Sequence, residues 1–155
     1  LKGLSPKENR NIPPLNRTVV EKLKADFPGC YFVINGGINS LGECTEELKR
    51  FDGVMVGREA YNNPWMLSQV DSLLYGELPW AITRTEVIAE MAEYIGWVQE
   101  KEPFAARTAA NHLMGLAQGL PGARAWRREL TDPASWKSRR ARDLILKAWE
   151  HVQER

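Results

Sequence analysis

Cysteine is scarce in this chain: Cys30 and Cys44 are the only two among 155 residues. Neither sits at metal-ligand spacing, so a disulfide scaffold and a thiolate metal centre are both set aside, and a reduced, cytoplasmic setting is the expectation. Histidine is equally rare; His112 and His151 lie far apart with no ligand pattern, so no metal site is expected. No apolar run approaches the roughly 20 residues that a membrane helix needs, and the opening residues lack the charged and apolar regions of a signal peptide. No membrane association is therefore expected. An excess of one charge is missing too, since 21 Lys and Arg against 20 Asp and Glu leave +1. The total argues neither for nor against a nucleic-acid partner. An initiator Met is also absent. The chain opens at Leu1 in polar loop chemistry, which reads as a fragment whose N-terminal part lies elsewhere.

What is present changes character along the chain. Residues 1–16 carry Pro6, Pro13 and Pro14 with Gly3, Asn9 and Asn11, and read as a long irregular connection. Val19, Val20, Leu23 and Phe27 recur at helical spacing until Pro28-Gly29. Tyr31-Phe32-Val33-Ile34 reads as a strand buried on both faces, the kind found in parallel sheets. Ser40 and Glu43 suggest a capping box for a helix to about Arg50. Val54-Met55-Val56 is a second short strand, ended by Gly57-Arg58, and a further helix is expected from Asn63-Pro64 to about Tyr75. Helix, strand, helix, strand with short connections predicts parallel strands and an α/β unit. Two parallel strands do not stand alone, which is a second sign of a fragment.

Beyond Glu77-Leu78-Pro79 the signals are helical throughout. Thr85 is the expected cap of a helix bearing Ile88, Met91, Ile95 and Val98. A second helix is expected from Ala105 to Gln118, a third from Pro121 to Leu130, and a fourth opening at Asp132-Pro133 with the stripe Leu144, Ala148 and Val152. Four helices with short loops predict a small antiparallel bundle.

Two glycine-bearing strand ends are the first candidate site: Asn35-Gly36-Gly37 after one strand, Gly57-Arg58 after the next. Glycine lets backbone N–H groups approach phosphate oxygens without a Cβ in the way, and arginine supplies a planar cationic fork. Either pair alone reads equally well as a tight turn with a surface charge; both together, one helix apart, favour phosphate binding. Lys7 and Arg10 in the opening loop are suited to a polyanion, although residue type alone favours solvated charges. Arg124, Arg127 and Arg128 share one helix face, with Trp126 pointing into the core. Arg107, Lys137, Arg139, Arg140 and Arg142 add positive charge, while Glu129 and Asp132 are the acids between Phe104 and Arg142. That asymmetry is the footprint expected of a nucleic-acid surface, with a solvated helical face as the alternative reading. Both cysteines are expected to be buried, unreactive side chains, and the tryptophans to be core.

These residues resemble one family. Leu1-Lys2-Gly3-Leu4-Ser5-Pro6-Lys7-Glu8-Asn9-Arg10 with Ile12-Pro13-Pro14-Leu15 is similar to the loop after the sixth strand of the tRNA-dihydrouridine synthases, A subfamily. Ile34-Asn35-Gly36-Gly37-Ile38 resembles their seventh-strand motif. The run Asp52 to Tyr61 with Asn63-Pro64 resembles their eighth strand. Gly115-Leu116, Gln118-Gly119, Pro121-Gly122-Ala123-Arg124 and Trp126-Arg127-Arg128 resemble the signature of their helical domain.

The resemblance implies the C-terminal part of a TIM (β/α)8 barrel over residues 1–78, from the loop after strand six to helix eight. An all-α tRNA-binding domain would follow over residues 79–155. It implies FMN-dependent reduction of a uridine to 5,6-dihydrouridine in the D-loop of tRNA, at positions 20 and 20a, with NADPH as reductant and a monomeric enzyme. Asn35, Gly36, Gly37, Gly57 and Arg58 would bind FMN, chiefly its phosphate; Lys7, Arg10, Arg124 and Arg127 would contact tRNA. The proton-donating cysteine would lie upstream, matched by neither Cys30 nor Cys44, so residues 1–155 alone are expected to be inactive. Two alternatives share parts of this pattern: another FMN barrel enzyme acting on a small molecule, and a non-catalytic RNA-binding helical module.

Overall fold

The backbone runs helix, strand, helix, strand and then helices alone. A computed structural model describes Gly3, Ser5, Pro6, Glu8, residues 14–79 and residues 81–154. The chain forms two compact units, Leu1–Gly57 and Arg58–Arg155.

In the first unit, helix α1 (Arg17–Asp26) starts where the Asn16 carboxamide accepts the Val19 N–H at 3.3 Å. Strands β1 (Val33–Asn35) and β2 (Gly53–Met55) pair in parallel, in the register Val33↔Gly53, Ile34↔Val54 and Asn35↔Met55. Helix α2 (Leu41–Leu48) lies between them in sequence. The Ser40 hydroxyl accepts the Glu43 N–H at 3.1 Å, but the return half of the expected capping box is displaced. The Glu43 carboxylate accepts from Asn39 N–H instead, at 2.6 Å.

Ile34, Ile38, Cys44 and Phe51 make the buried centre of this unit. The strand expected to be buried on both faces is shorter and one-sided, with Ile34 inside, Val33 61% exposed and Tyr31 91% exposed. Val19, Leu23 and Phe27, the predicted apolar stripe of α1, are exposed as well. Cys30 is exposed, contrary to expectation; Cys44 is buried. A two-stranded sheet in this unit supplies too little surface to bury all of these side chains.

A polar network in this unit centres on Glu47, which is 7% exposed. One carboxylate oxygen accepts from Arg17 Nε; the other accepts from Arg50 Nη2 at 2.6 Å, and Arg50 also pairs with Glu21. Burial pushes the Glu47 carboxyl up, but hydrogen bonds and charge from Arg17 and Arg50 outweigh it and hold the group below the usual range.

In the second unit α3 (Arg58–Asn62), a 3₁₀ turn (Pro64–Gln69) and α4 (Val70–Leu74) precede the long helix α5 (Arg84–Lys101). The cap of α5 is Thr83, not the expected Thr85. Thr83 and Glu86 make a complete capping box, with Thr83 N–H donating to the Glu86 carboxylate at 2.7 Å and Glu86 N–H to the Thr83 hydroxyl at 3.1 Å. Thr85 is occupied elsewhere: its hydroxyl accepts Trp149 Nε1–H at 2.9 Å and donates to Glu154 at 3.0 Å. The Arg84 guanidinium lies 4.7 Å from the Trp65 ring centroid, joining the 3₁₀ turn to α5.

Helix α6 (Pro103–Asn111) ends earlier than its apolar pattern suggests and gives way to a second 3₁₀ turn, Met114–Ala117. Helix α7 (Ala123–Thr131) starts after Pro121, with Gly122 as its cap. The expected fourth helix is two, α8 (Pro133–Ser138) and α9 (Ala141–Trp149), with Arg139 and Arg140 extended between them. The break is stabilised from a distance, since Gln99 on α5 accepts the Ala141 N–H at 2.8 Å.

Ile88, Ala92 and Ile95 of α5 pack with Ala106, Ala110, Trp126, Leu130, Leu144 and Ile145 in one buried core. Trp126 and Trp149 meet edge to face at 5.1 Å. Gly122 is in the left-handed region (φ 88°), and a Cβ there would run into the carbonyl group of His151. Beside it, Gln153 N–H donates to Pro121 C=O at 3.1 Å, so the tail and the start of α7 clasp backbone to backbone.

Two measurements test these links. Gly122→Ala should cost about 2–4 kcal/mol in urea denaturation. Gly119→Ala, also at positive φ but with nothing within 4 Å of its Cβ position, should cost about 1 kcal/mol. Equal losses would mean that the His151 contact does not constrain the helical unit. Glu47→Gln should lower the urea midpoint at neutral pH. A depressed carboxyl stabilises fully above its unfolded pKa and loses that effect as pH falls through the folded value. The gap between variant and parent should therefore close in acid; a pH-independent gap would disprove the electrostatic account.

Candidate functional site

The Asn35-Gly36-Gly37 run leaves the C-terminal end of β1 as a sharp turn, with φ of 105° at Gly36 and 67° at Gly37. Its two carbonyls are tied down: Arg17 Nη2 donates to Gly36 C=O at 3.1 Å and Asn39 Nδ2 to Gly37 C=O at 2.9 Å. The Arg17 that holds this turn is the same one that Glu47 fixes, so the buried ion network determines the shape of the loop. Leu15 lies against the turn, and a Cβ at either glycine would come within about 3.0 Å of its methyl carbons. Asn35 is exposed at the end of the strand. Positive-φ glycine turns are one way in which a backbone presents N–H groups to an anion; here the Cβ side of both glycines is covered by Leu15.

Gly57 closes the first unit and Arg58, exposed, opens the second as the first residue of α3. Gly57 does not adopt positive φ, and a Cβ there would meet nothing within 4 Å among the described residues. Neither backbone conformation nor packing in the described structure requires glycine at that position. Lys7 and Arg10 lie outside the described residues.

The basic stretch separates into two classes. Arg107 donates to Thr131 C=O at 2.8 Å and so helps to close the end of α7. Arg139 pairs with Glu129, and Arg142 with Glu93 and Asp143. Arg124, Arg127 and Arg128 project from α7 into solvent while Trp126 is fully buried beneath them. These three, with Lys137 and Arg140, have no hydrogen-bond or ion-pair partner among the described residues. Of the eight basic side chains in the stretch, five are therefore available to an external anion.

Cys44 is sealed in the first unit, and burial raises its thiol pKa, with Glu43 adding to the effect. It is an inert core group. Cys30 is exposed but precedes β1, at the strand end opposite the glycine turn. Among the described residues no group of His, Cys, Asp and Glu is arranged to hold a metal ion, and no helix is long and apolar enough to cross a membrane.

Sequence reasoning missed a polar cleft in the second unit. Glu59, Tyr61 and Asn62 on α3 face Asn111, Gln118 and Arg127 across it, and Met114 and Gly115 complete the lining. Tyr61 and Gln118 stand in runs that resemble family motifs, but no periodicity signals that α3, α6 and α7 converge.

The family model described as dihydrouridine synthase matches residues 2–151. The chain is 46% identical over 153 residues to the tRNA-dihydrouridine(20/20a) synthase of Shewanella oneidensis, covering 99% of this chain and 45% of that protein. It is 48% identical over 131 residues to the synthase of that name from Pseudomonas aeruginosa (84% of this chain, 39% of that protein). For the Yersinia pestis synthase the identity is 44% over 134 residues (86% and 39%). The chain thus spans less than half the length of the curated relatives it matches. With the family match running over nearly all of its residues, this chain belongs to the dihydrouridine synthase family.

Proposed function

We propose that the chain is the C-terminal part of an FMN-dependent tRNA-dihydrouridine synthase that reduces uridine at positions 20 and 20a of tRNA, using NADPH. The observation that carries this reading is the extent of the match, which takes in both the glycine-bearing strand ends and the helices with the unpaired arginines. Residues 1–78 are assigned to the end of a TIM barrel and residues 79–155 to a helical tRNA-binding domain. The compact division at Gly57 puts α3 to α4 with the helices; in this reading that segment is barrel sequence packed on the second domain. The exposed faces of α1 and β1 support a longer parent, because apolar stripes of this kind are normally covered by neighbouring strands and helices.

The glycine-bearing strand ends support a site for the cofactor's phosphate. Gly36 and Gly37 make a positive-φ turn at a strand end with Leu15 packed against it, Gly57 has open space where a Cβ would stand, and Arg58 follows directly. Asn35, Gly36, Gly37, Gly57 and Arg58 are the residues assigned to hold it. When bound and reduced by NADPH, FMN supplies the hydride for the C5–C6 double bond of the uridine. The chain's own contribution is to bind and orient. The glycine turn fixes the phosphate end, while Arg124 and Arg127, with Lys7 and Arg10, grip the RNA backbone. The family resemblance assigns the proton donor to a cysteine upstream of this segment, and the buried Cys44 and the exposed Cys30, at the strand end opposite the glycine turn, agree with that assignment. The parent is read as a monomeric cytoplasmic enzyme, and residues 1–155 alone as inactive.

In the full-length protein, Arg58→Ala should lower FMN retention several-fold more than Lys49→Ala, because a phosphate–arginine pair contributes more than an exposed charge. Lys49, paired with exposed Glu46 among the described residues, is the control because it lies outside the Glu47 network. Equal flavin content after gel filtration would remove Arg58 from the site. Arg124→Ala combined with Arg127→Ala should weaken tRNA binding and lower the slope of log affinity against log salt by roughly one unit per lost phosphate contact, with flavin content unchanged. An unchanged slope and affinity would reduce this face to solvated charge.

A further inference from the structure

We infer that the cleft between α3 and the Met114–Ala117 turn holds one unpaired base of the RNA and reads its hydrogen-bonding edge. Six side chains define its chemistry: three carboxamides (Asn62, Asn111 and Gln118), the Tyr61 ring, the Arg127 guanidinium and the Glu59 carboxylate. All but Glu59 are exposed, and the carboxamides and Arg127 have no hydrogen-bond partner among the described residues. A surface that converges several unused donors and acceptors is built for a polar ligand, because idle groups of this kind gain little by being placed together for packing.

The composition distinguishes a base from a phosphate. Arg127, on the rim, reaches a backbone phosphate beside the cleft, whereas the Glu59 carboxylate disfavours an anion inside it. Carboxamides carry a donor and an acceptor side by side, the complement of a base edge that also carries both. Glu59 extends the set with a pure acceptor. Unpaired RNA bases are read in this manner, with the edge hydrogen-bonded and the face stacked on an aromatic ring. Tyr61 supplies the ring; it is 58% exposed and braced edge-on by His112 at 5.6 Å. The cleft, about 660 Å³ in volume, suits one planar ligand and is too small for a duplex.

Rigidity comes from Gly115. A Cβ there would lie 2.6 Å from Asn62 C=O, 2.7 Å from Pro64 Cδ and 2.9 Å from Tyr61 C=O. The 3₁₀ turn therefore touches the backbone that carries Tyr61 and Asn62, and the two walls are held at fixed spacing. That spacing makes selection of a base possible, since misplacement by an ångström would break a bidentate contact.

This inference rests on the proposed tRNA substrate but adds base readout to phosphate contacts, and the two separate experimentally. The probe is an unmodified tRNA transcript, with a set of transcripts each carrying one abasic residue at an unpaired position. Asn62→Ala with Gln118→Ala in the full-length protein should bind the intact transcript about tenfold more weakly, at unchanged salt slope, because neutral side chains release no counterions. At one abasic position the parent protein should lose the same factor, and there the double variant should lose nothing further. Tyr61→Leu, which keeps an apolar side chain against His112, should show the same positional dependence and guards against misfolding of the double variant. Parent-like affinity in both variants, or a loss that no abasic position absorbs, would overturn base readout while leaving the tRNA substrate intact. If the parent protein failed to bind the transcript at all, both readings would fall together.

Discussion

The helical unit closes because no side chain stands between Gly122 and the His151 carbonyl group. That single absence lets the C-terminal tail lie against the start of α7 and exchange a backbone hydrogen bond through Gln153 and Pro121. The rotation of α7 about its axis follows from it. Once the helix starts at Ala123, Trp126 and Leu130 fall into the core against Trp149, and Arg124, Arg127 and Arg128 face outward. A glycine in the sequence motif Pro121-Gly122-Ala123-Arg124 thus has a structural role, and the arginines beside it inherit their direction from that role.

The first unit depends on a different kind of constraint. Glu47 gathers Arg17 and Arg50 around one buried carboxylate, and Arg17 extends to the carbonyl of Gly36. A buried charge is stabilising only when its partners satisfy it fully; here the arrangement also fixes a turn whose glycines would otherwise sample many conformations. Stability and the shape of the candidate phosphate loop are therefore carried by the same side chains.

The elements with strong local signals were legible in the sequence. The β1–α2–β2 order, the long apolar stripe of α5 and the inward Trp126 with outward arginines all follow from periodicity and turn residues. What escaped depended on contacts distant in sequence. The stripe of α5 points to Thr85 as its cap, but Thr85 serves Trp149, 64 residues away. The break between α8 and α9 is held by Gln99, and nothing in residues 133–149 announces it. An apolar run overstates strand burial, because it states what a strand could pack against, not what the described residues supply. The polar cleft was invisible for a similar reason: Tyr61, Asn111 and Gln118 meet through Gly115, whose missing Cβ is a tertiary fact. The glycine loops were legible as a pattern, whereas the tie from Glu47 through Arg17 to Gly36 was not.

The oily outer surface of the first unit has a consequence for the life of the protein in a cell. Phe27, Tyr31, Val33 and Leu23 lie exposed near one another in sequence, together with sheet edges that are unpaired among the described residues. A chaperone or a quality-control protease recognises features of this sort as the mark of an unfinished chain. Produced without a covering partner, this segment would be held, refolded or degraded, and its abundance would report whether its apolar faces had been capped.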